Sequence, residues 1–96
     1  MSLVFEWNLN KARANLQKHR VSFSEAISVF RDPLGRIFAD EVHSDEELRE
    51  IIIGHSSAKR LILVCFTEKP NGEVRLISAR RATREERHDY ENYITD

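Results

Sequence analysis

The chain has 96 residues, of which 41% are hydrophobic and 32% are charged, and its formal net charge at pH 7 is −1. This length supports one domain over residues 1–96, and the composition excludes a disordered or fibrous protein. No apolar stretch approaches the roughly 18 residues that span a bilayer, and no signal-peptide pattern opens the chain. Cys65 is the only cysteine and lies in an apolar run. We therefore expect a cytoplasmic protein with a buried, reduced thiol.

Charged residues are arranged in blocks along the chain. Residues 8–20 contain basic side chains and no acid, residues 40–50 are mainly acidic, and residues 75–87 are rich in arginine. Folding can bring the two basic blocks together into a positive patch that binds a polyanion. Solvated faces without a binding role are the alternative, and charge alone does not decide between them.

The N-terminal third predicts a strand and two helices. Residues 4–7 alternate in polarity, and Asn8 is a suitable N-cap for a helix over residues 9–19. At helical spacing, that helix carries one apolar and one polar stripe: Leu9, Ala12 and Leu16, and Lys11, Asn15 and Lys18.

The second helix is predicted by a capping box, Ser22-Phe23-Ser24-Glu25, followed by an apolar face. Asp32-Pro33 ends it, since the residue before proline avoids the helical conformation.

The remainder of the chain changes to strand periodicity. Four strands are expected over residues 36–40, 49–54, 61–67 and 74–79. Asn71-Gly72 predicts a tight hairpin turn in which both residues need positive φ. Thr83 and Glu86 form a second capping box, which begins a helix that extends to about residue 94. Short connections make these strands antiparallel, so the predicted class is α+β with the two N-terminal helices on one sheet face.

This order of elements carries motifs that together resemble the BrnT family. The motifs are Phe5-Glu6-Trp7 before Lys11, then Asn15, Lys18-His19, Val21-Ser22-Phe23, Glu25-Ala26, Val29-Phe30, Asp32-Pro33, His43-Ser44, Glu47 with Arg49, Ile53-Gly54-His55-Ser56, Ile77-Ser78-Ala79-Arg80, Glu86-Arg87 and Tyr90-Glu91. The resemblance extends from about residue 5 to residue 91. Asn8 replaces the usual aspartate, and Arg20 replaces a glycine that suits a helix C-terminus.

The resemblance implies a RelE-like fold, with an antiparallel sheet, two N-terminal helices packed on it and a C-terminal helix. It also implies a ribonuclease toxin of a type II toxin–antitoxin system that halts translation and growth. The implied partner is a BrnA-like antitoxin, and operator DNA is contacted only through the toxin–antitoxin complex.

RNA cleavage without a metal needs a base for the 2′-hydroxyl, cations for the transition state and an acid for the leaving oxygen. We expect no metal and no cofactor, because His43, His55, Asp40 and Glu47 lack tight ligand spacing. Cys65 is expected to be a poor nucleophile in a buried strand.

Arg80 is the strongest candidate site residue, because a strand end would aim it from a rigid scaffold. The candidate catalytic set is Arg80, His19, Lys18 and Arg49. Three of the four have an alternative: Arg80 would pair with Glu85 or Glu86, His19 would only complement the helix dipole, and Arg49 would form an internal ion pair.

Lys11, Asn15, Arg60, Arg81 and Tyr90 are the candidate substrate-binding residues. Lys11 and Asn15 would follow the RNA backbone, while Tyr90 would stack on a base. Alternatives stay open here too: Arg60 would only flank a hairpin, and Tyr90 would pack on the sheet. His43 and Ser44 are left outside the site as turn residues.

A second function is compatible with the same sequence. The chain could be a non-catalytic module that binds the antitoxin and acts as corepressor of its own operon, with acidic residues 40–50 as the docking surface. A structural domain unrelated to toxicity is the third interpretation.

Overall fold

The computed structural model describes residues 3–44 and 47–95, including side chains except for residues 94 and 95. In chain order the elements are β1 (Phe5–Glu6), α1 (Leu9–His19), α2 (Phe23–Val29), β2 (Arg36–Ala39), β3 (Glu50–His55), β4 (Leu61–Glu68), β5 (Val74–Arg81) and α3 (Arg84–Thr95). The predicted type and order of the elements are confirmed, and strand ends differ from the prediction by one or two residues. Within the described residues, no helix is long and apolar enough to cross a membrane.

The five strands form one sheet in the order β1-β5-β4-β3-β2. Strands β2 to β5 are antiparallel neighbours, as their short connections predict. β1 pairs with β5 in parallel, so the sheet is mixed. The parallel pairing of β1 with β5 was not predicted, because most of the chain separates these two strands and no short connection sets their direction.

The two faces of the sheet carry different layers. On one face, α1 and α2 cover the main core, which includes Val21, Phe23, Ala26, Ile52, Ile62, Val64, Leu76 and Ala79. On the other face, Tyr90 of α3 packs against Ile53, Leu61 and Leu63. Because α3 covers only part of that face, the rest of it stays open to a ligand.

The starts of α1 and α2 follow the predicted capping chemistry. The Asn8 side chain accepts a hydrogen bond from Lys11 N at 3.1 Å, and Ser22 Oγ accepts one from Glu25 N at 3.0 Å. At the end of α1, Arg20 has φ 59° and ψ 30°, the left-handed conformation that glycine adopts most easily. Arg20 therefore keeps the turn between the helices at the expense of local backbone strain.

The β4–β5 hairpin differs from its predicted turn. Gly72 N donates to Lys69 O, and Lys69 N donates to Glu73 O, each at 2.8 Å. Gly72 has φ 89°, but Asn71 is not in the positive-φ region, so the two-residue turn was wrong. Pro70 favours a type I turn followed by a glycine bulge, which needs only one positive φ.

Candidate active site

A pocket of about 220 Å³ lies on the open face of the sheet. Its lining combines an apolar floor with a polar rim: Ile51, Leu63, Cys65 and Ile77, and Asp40, His43, Arg49, Ser78 and Arg80. Two of the four predicted catalytic residues, Arg49 and Arg80, therefore meet at one cavity.

A β-bulge in β5 brings Arg80 to this face. Cys65 pairs with Ser78 and Phe66 pairs with Leu76, so Ile77 is an additional residue in β5. Strict alternation from Leu76, which belongs to the helix-covered core, would have put Arg80 on that same face. The bulge reverses the alternation, a common way to re-aim a side chain near a site.

Arg80 is held by the start of α3. Its Nη1 and Nη2 donate to the two carboxylate oxygens of Glu86 at 2.7 and 2.8 Å. Glu86 Oε1 also accepts from Thr83 N at 2.9 Å, and Thr83 Oγ1 accepts from Glu86 N at 3.1 Å, so the predicted capping box is complete. The bond to Arg80 and the neighbouring backbone lower the pKa of Glu86 to about 2. Arg80 therefore forms the ion pair with Glu86 and also lines the pocket, so the two interpretations of this residue are compatible.

Arg49 reaches the pocket from the connection between β2 and β3. Ser44 Oγ donates to Asp40 O at 2.7 Å and accepts from Arg49 N at 3.0 Å, which ties the two ends of this connection together. Arg49 Nε lies 3.8 Å from Glu47 Oε1, beyond hydrogen-bond distance. Over the described part of the chain, it is the one buried side-chain nitrogen or oxygen without a hydrogen-bond partner.

His43 and Asp40 form a pair at the rim. His43 Nδ1 lies 2.9 Å from Asp40 Oδ2, the Asp40 side chain is largely buried, and the His43 ring is mainly exposed. With the proton on Nδ1, the aspartate orients the ring and Nε2 is free to take a proton from a ligand. This is the arrangement of a histidine base with its orienting carboxylate.

Cys65 is not the fully buried thiol that the apolar run predicted. It is partly exposed on the pocket floor, 3.9 Å from Asp40 Oδ2. Burial and the charge of Asp40 raise the pKa of the thiol. A protonated thiol is a weak nucleophile, so we do not propose Cys65 as a nucleophile.

The structure does not bring the helical candidates to this pocket. Lys11, Lys18 and His19 lie on α1, which packs on the opposite face of the sheet. Lys11 and Lys18 are exposed, and His19 is partly buried. These three residues form a separate basic surface.

Asn15, predicted to contact substrate, is buried between α1 and β5. Its Nδ2 donates to Val21 O at 3.0 Å and to Ala79 O at 2.8 Å, and its Oδ1 accepts from Ala79 N at 3.0 Å. The amide thus fastens the helix to the sheet and has no surface to offer a ligand.

Arg60 and Arg81 also lie away from the pocket. Arg60 Nε donates to Glu25 Oε2 at 2.9 Å, its Nη2 bonds Glu25 Oε1, and the same Nη2 donates to Arg20 O at 3.1 Å. Arg81 pairs in register with Ile62 of the helix-covered core, so its side chain has the opposite orientation to that of Arg80.

Tyr90 has the packing role that was its alternative. Its ring is only 2% exposed, and its hydroxyl lies 3.3 Å from Leu34 O and 3.4 Å from Asp32 Oδ2. A buried ring cannot stack on a base, so Tyr90 anchors α3 beside the pocket.

His43 was left outside the site as a turn residue in the sequence prediction, and Asp40 was not among the candidate site residues, yet both line the pocket. The available signal was an aspartate at the end of a predicted strand with a histidine three residues later. That spacing is common in turns, and only the closed Asp40–Arg49 connection shows that the ring faces a cavity.

Among residues 3–44 and 47–95, no group of three histidine, cysteine, aspartate or glutamate side chains could hold a metal ion.

Fold and pocket together define a small α+β protein with a cationic site on a partly covered sheet. A family model described as "Ribonuclease toxin, BrnT, of type II toxin-antitoxin system" matches residues 7–86, and the chain belongs to this family. Family membership implies an RNA target and an antitoxin partner.

Among solved structures, the chain is similar to the Brucella abortus ribonuclease toxin BrnT, determined at 1.1 Å. The two share 20% sequence identity with a TM-score of 0.66, over 86% of this chain and 100% of that chain. This similarity confirms the α+β fold. A search of curated proteins gave no match.

Proposed function

We propose that the chain is a metal-independent RNA endonuclease that inhibits translation and growth, with its active site at the pocket of Arg49, Arg80 and the His43–Asp40 pair. The observation that carries the proposal is the meeting of two guanidinium groups and an oriented imidazole at one cavity. In this proposal the His43–Asp40 pair replaces His19 and Lys18 of the sequence prediction, since α1 packs on the other face of the sheet.

The proposed reaction uses His43 as the base. His43 Nε2 takes the proton of the RNA 2′-hydroxyl, and the 2′-oxygen attacks the adjacent phosphorus. The bond from phosphorus to the 5′-oxygen breaks, and this leaving oxygen takes a proton from water at the open rim. The products are a 2′,3′-cyclic phosphate and a 5′-hydroxyl.

The two arginines stabilise the charge that develops on the phosphate oxygens. Arg49 lines the pocket, so its guanidinium can donate to a phosphate oxygen that binds there. Arg80 is fixed by two bonds to Glu86, so little side-chain entropy is lost when phosphate binds. Arg80 lines the pocket, so this fixed guanidinium lies beside a bound substrate.

We propose further that the partner is a BrnA-like antitoxin in the cytoplasm, and that operator DNA is contacted only through the complex. The non-catalytic corepressor is the competing function. Its predicted docking surface, residues 40–50, includes residues 45 and 46, which lie outside the described residues.

Cleavage of total RNA by the purified, antitoxin-free chain in EDTA tests this proposal. Wild type is expected to fragment the RNA, and His43→Gln is expected to slow this by about 100-fold or more. His19→Gln is the matched control, and it should cleave at the wild-type rate. Loss of activity in His19→Gln alone would return catalysis to α1, and intact RNA with folded wild type would favour the corepressor.

A further inference from the structure

The first helix leaves both leucines of its apolar stripe exposed. Asn15 is the residue of α1 that is buried against the sheet, whereas Leu9 is 67% exposed and Leu16 is 47% exposed. An amphipathic helix in a finished domain normally buries its apolar stripe. Ala12 is partly buried against the main core, so Leu9 and Leu16 are the residues of this stripe that are available to another molecule.

This stripe forms one wall of a groove of about 180 Å³. Trp7 and Phe23 lie at its base, with their rings edge to face at a centroid distance of 5.9 Å. Ser22 and Ser24, at the start of α2, line the groove from the other side. Aromatic and leucine side chains in a concave surface are typical of a site for apolar anchors of a protein partner.

The charged residue in the groove lining is basic. Arg13 lines it, and Arg20 follows Leu16 by one helical turn, so leucines and arginines alternate along the same face. Residues 8–20 contain no acid, and neither arginine forms an ion pair with the residues that the structure describes. The complementary ligand is a segment with apolar anchors flanked by aspartate or glutamate.

We propose that this groove is where the antitoxin docks, through an acidic amphipathic segment. A nucleic acid would use the arginines but would leave the leucines and Trp7 uncovered. A second copy of the chain related by two-fold symmetry would bring the same basic helix against itself, which like-charge repulsion opposes. The proposal rests on the antitoxin partner that family membership implies, and it does not depend on the cleavage mechanism.

Binding to the groove leaves the pocket open, because the two lie on opposite faces of the sheet. Docking and RNA cleavage are therefore separable by mutation. Variants of the groove should lose the antitoxin and keep the activity of the free chain.

Titration calorimetry with the cognate antitoxin that family membership implies tests the proposal. Leu9→Gln/Leu16→Gln is expected to weaken binding by about 10- to 100-fold, since apolar anchors dominate such interfaces. Leu34→Gln/Leu48→Gln is the matched control, because both leucines are exposed elsewhere on the surface, and its affinity should stay within about 2-fold of wild type. Arg13→Glu tests charge without removing an apolar anchor, and it is expected to weaken binding about 10-fold at low salt and less at high salt.

Each variant is also measured for thermal unfolding, for RNA cleavage without antitoxin, and for mass in solution. Unchanged antitoxin affinity in the double variant would overturn the proposal, as would an equal loss in the control pair. Loss of a dimer of the free chain with antitoxin binding intact would assign the groove to a second copy, and loss of RNA binding alone would assign it to nucleic acid. Failure of wild type to cleave RNA would refute the proposed enzyme and leave the binding result to be judged on its own.

Discussion

Arg60 and Arg80 each pair with a glutamate from the first turn of a helix, Glu25 of α2 and Glu86 of α3. Both glutamates belong to capping boxes that look alike in the sequence. Glu86 keeps the capping role, since it accepts from Thr83 N, whereas the Glu25 carboxylate bonds Ser56 Oγ and Arg60.

The surroundings separate the two pairs. The Arg60 and Glu25 side chains are 28% and 13% exposed, and a third bond to Arg20 O ties Arg60 to the end of α1. The Arg80 and Glu86 side chains are 42% and 30% exposed, and Arg80 lines the pocket. Two similar ion pairs therefore differ in role with their position on the sheet. The Arg60 pair links helices and sheet, whereas the Arg80 pair holds a cation at the pocket.

Arg80→Ala tests the proposed role of the Arg80–Glu86 pair in RNA cleavage. We expect RNA cleavage to fall by about 100- to 1,000-fold, as when one preorganised donor to a developing charge is removed. The free energy of unfolding should change by less than about 1 kcal/mol, because the pair is partly exposed. Single-turnover cleavage and urea denaturation measure the two effects. Activity within a few-fold of wild type would remove Arg80 from the site.

Asn15→Ala should cause the largest loss of stability. The change leaves two buried carbonyls and one buried amide without their partner, and we expect a cost of about 3 kcal/mol. Urea denaturation checks it, with Gln17→Ala on the exposed side of α1 as control. A cost below about 1 kcal/mol would mean that water replaces the amide.

Arg60→Ala tests the structural half of the comparison. Loss of the pair with Glu25 and of the bond to Arg20 O should lower the free energy of unfolding by about 2 kcal/mol. RNA cleavage per folded molecule should equal that of wild type. An activity loss comparable with that of Arg80→Ala, in folded protein, would contradict the division between the two pairs.

Acid should weaken the Arg80–Glu86 pair in a defined pH range. The bond to Arg80 lowers the pKa of Glu86 from 4.5 to about 2 in the folded chain. The stabilisation is therefore complete above pH 4.5 and is lost as the pH falls toward 2. Discounting for solvent screening, we expect about 1 kcal/mol, measured as the difference in acid unfolding between wild type and Glu86→Gln. Parallel curves for the two proteins between these pH values would contradict the pair's strength.

Arg20→Gly should give the smallest effect, a gain in stability of about 0.5 to 1 kcal/mol. Glycine relieves the left-handed conformation at Arg20, partly offset by greater freedom in the unfolded chain. The Arg20 carbonyl that accepts from Arg60 is kept by the substitution. Thermal unfolding measures the gain, and a loss of stability would show that the Arg20 side chain itself is needed.

The fold was largely predictable because its signals are local. Asn8, Ser22 and Thr83 begin their helices where capping chemistry predicts, and the short connections set the antiparallel strands. β1 could not be placed in this way, because its partner β5 is distant in sequence. The turn at Asn71-Gly72 was misjudged because Pro70 favours a different turn type.

The site was predictable only in part because it depends on how distant segments face one another. Arg49 and Arg80 were candidates at the ends of predicted strands and both line the pocket, but the bulge at Ile77 that turns Arg80 toward it has no clear sequence signal. The polar stripe of α1 was expected to face the RNA, yet Asn15 of that stripe faces the sheet. Its hydrogen bonds to β5 became visible only when the two segments were seen together.

We propose above all that the pocket on the open face of the sheet cleaves RNA without a metal, and that the attacking group is the 2′-hydroxyl of the RNA. The most direct test is end-group analysis of a short RNA cut by the antitoxin-free chain in EDTA, beside the same RNA with a 2′-deoxy residue at the cut site. We predict 2′,3′-cyclic phosphate and 5′-hydroxyl ends, no cleavage at the deoxy position, and loss of the products in His43→Gln. Ends with a 3′-hydroxyl and a 5′-phosphate, or cleavage that stops in EDTA, would contradict the account.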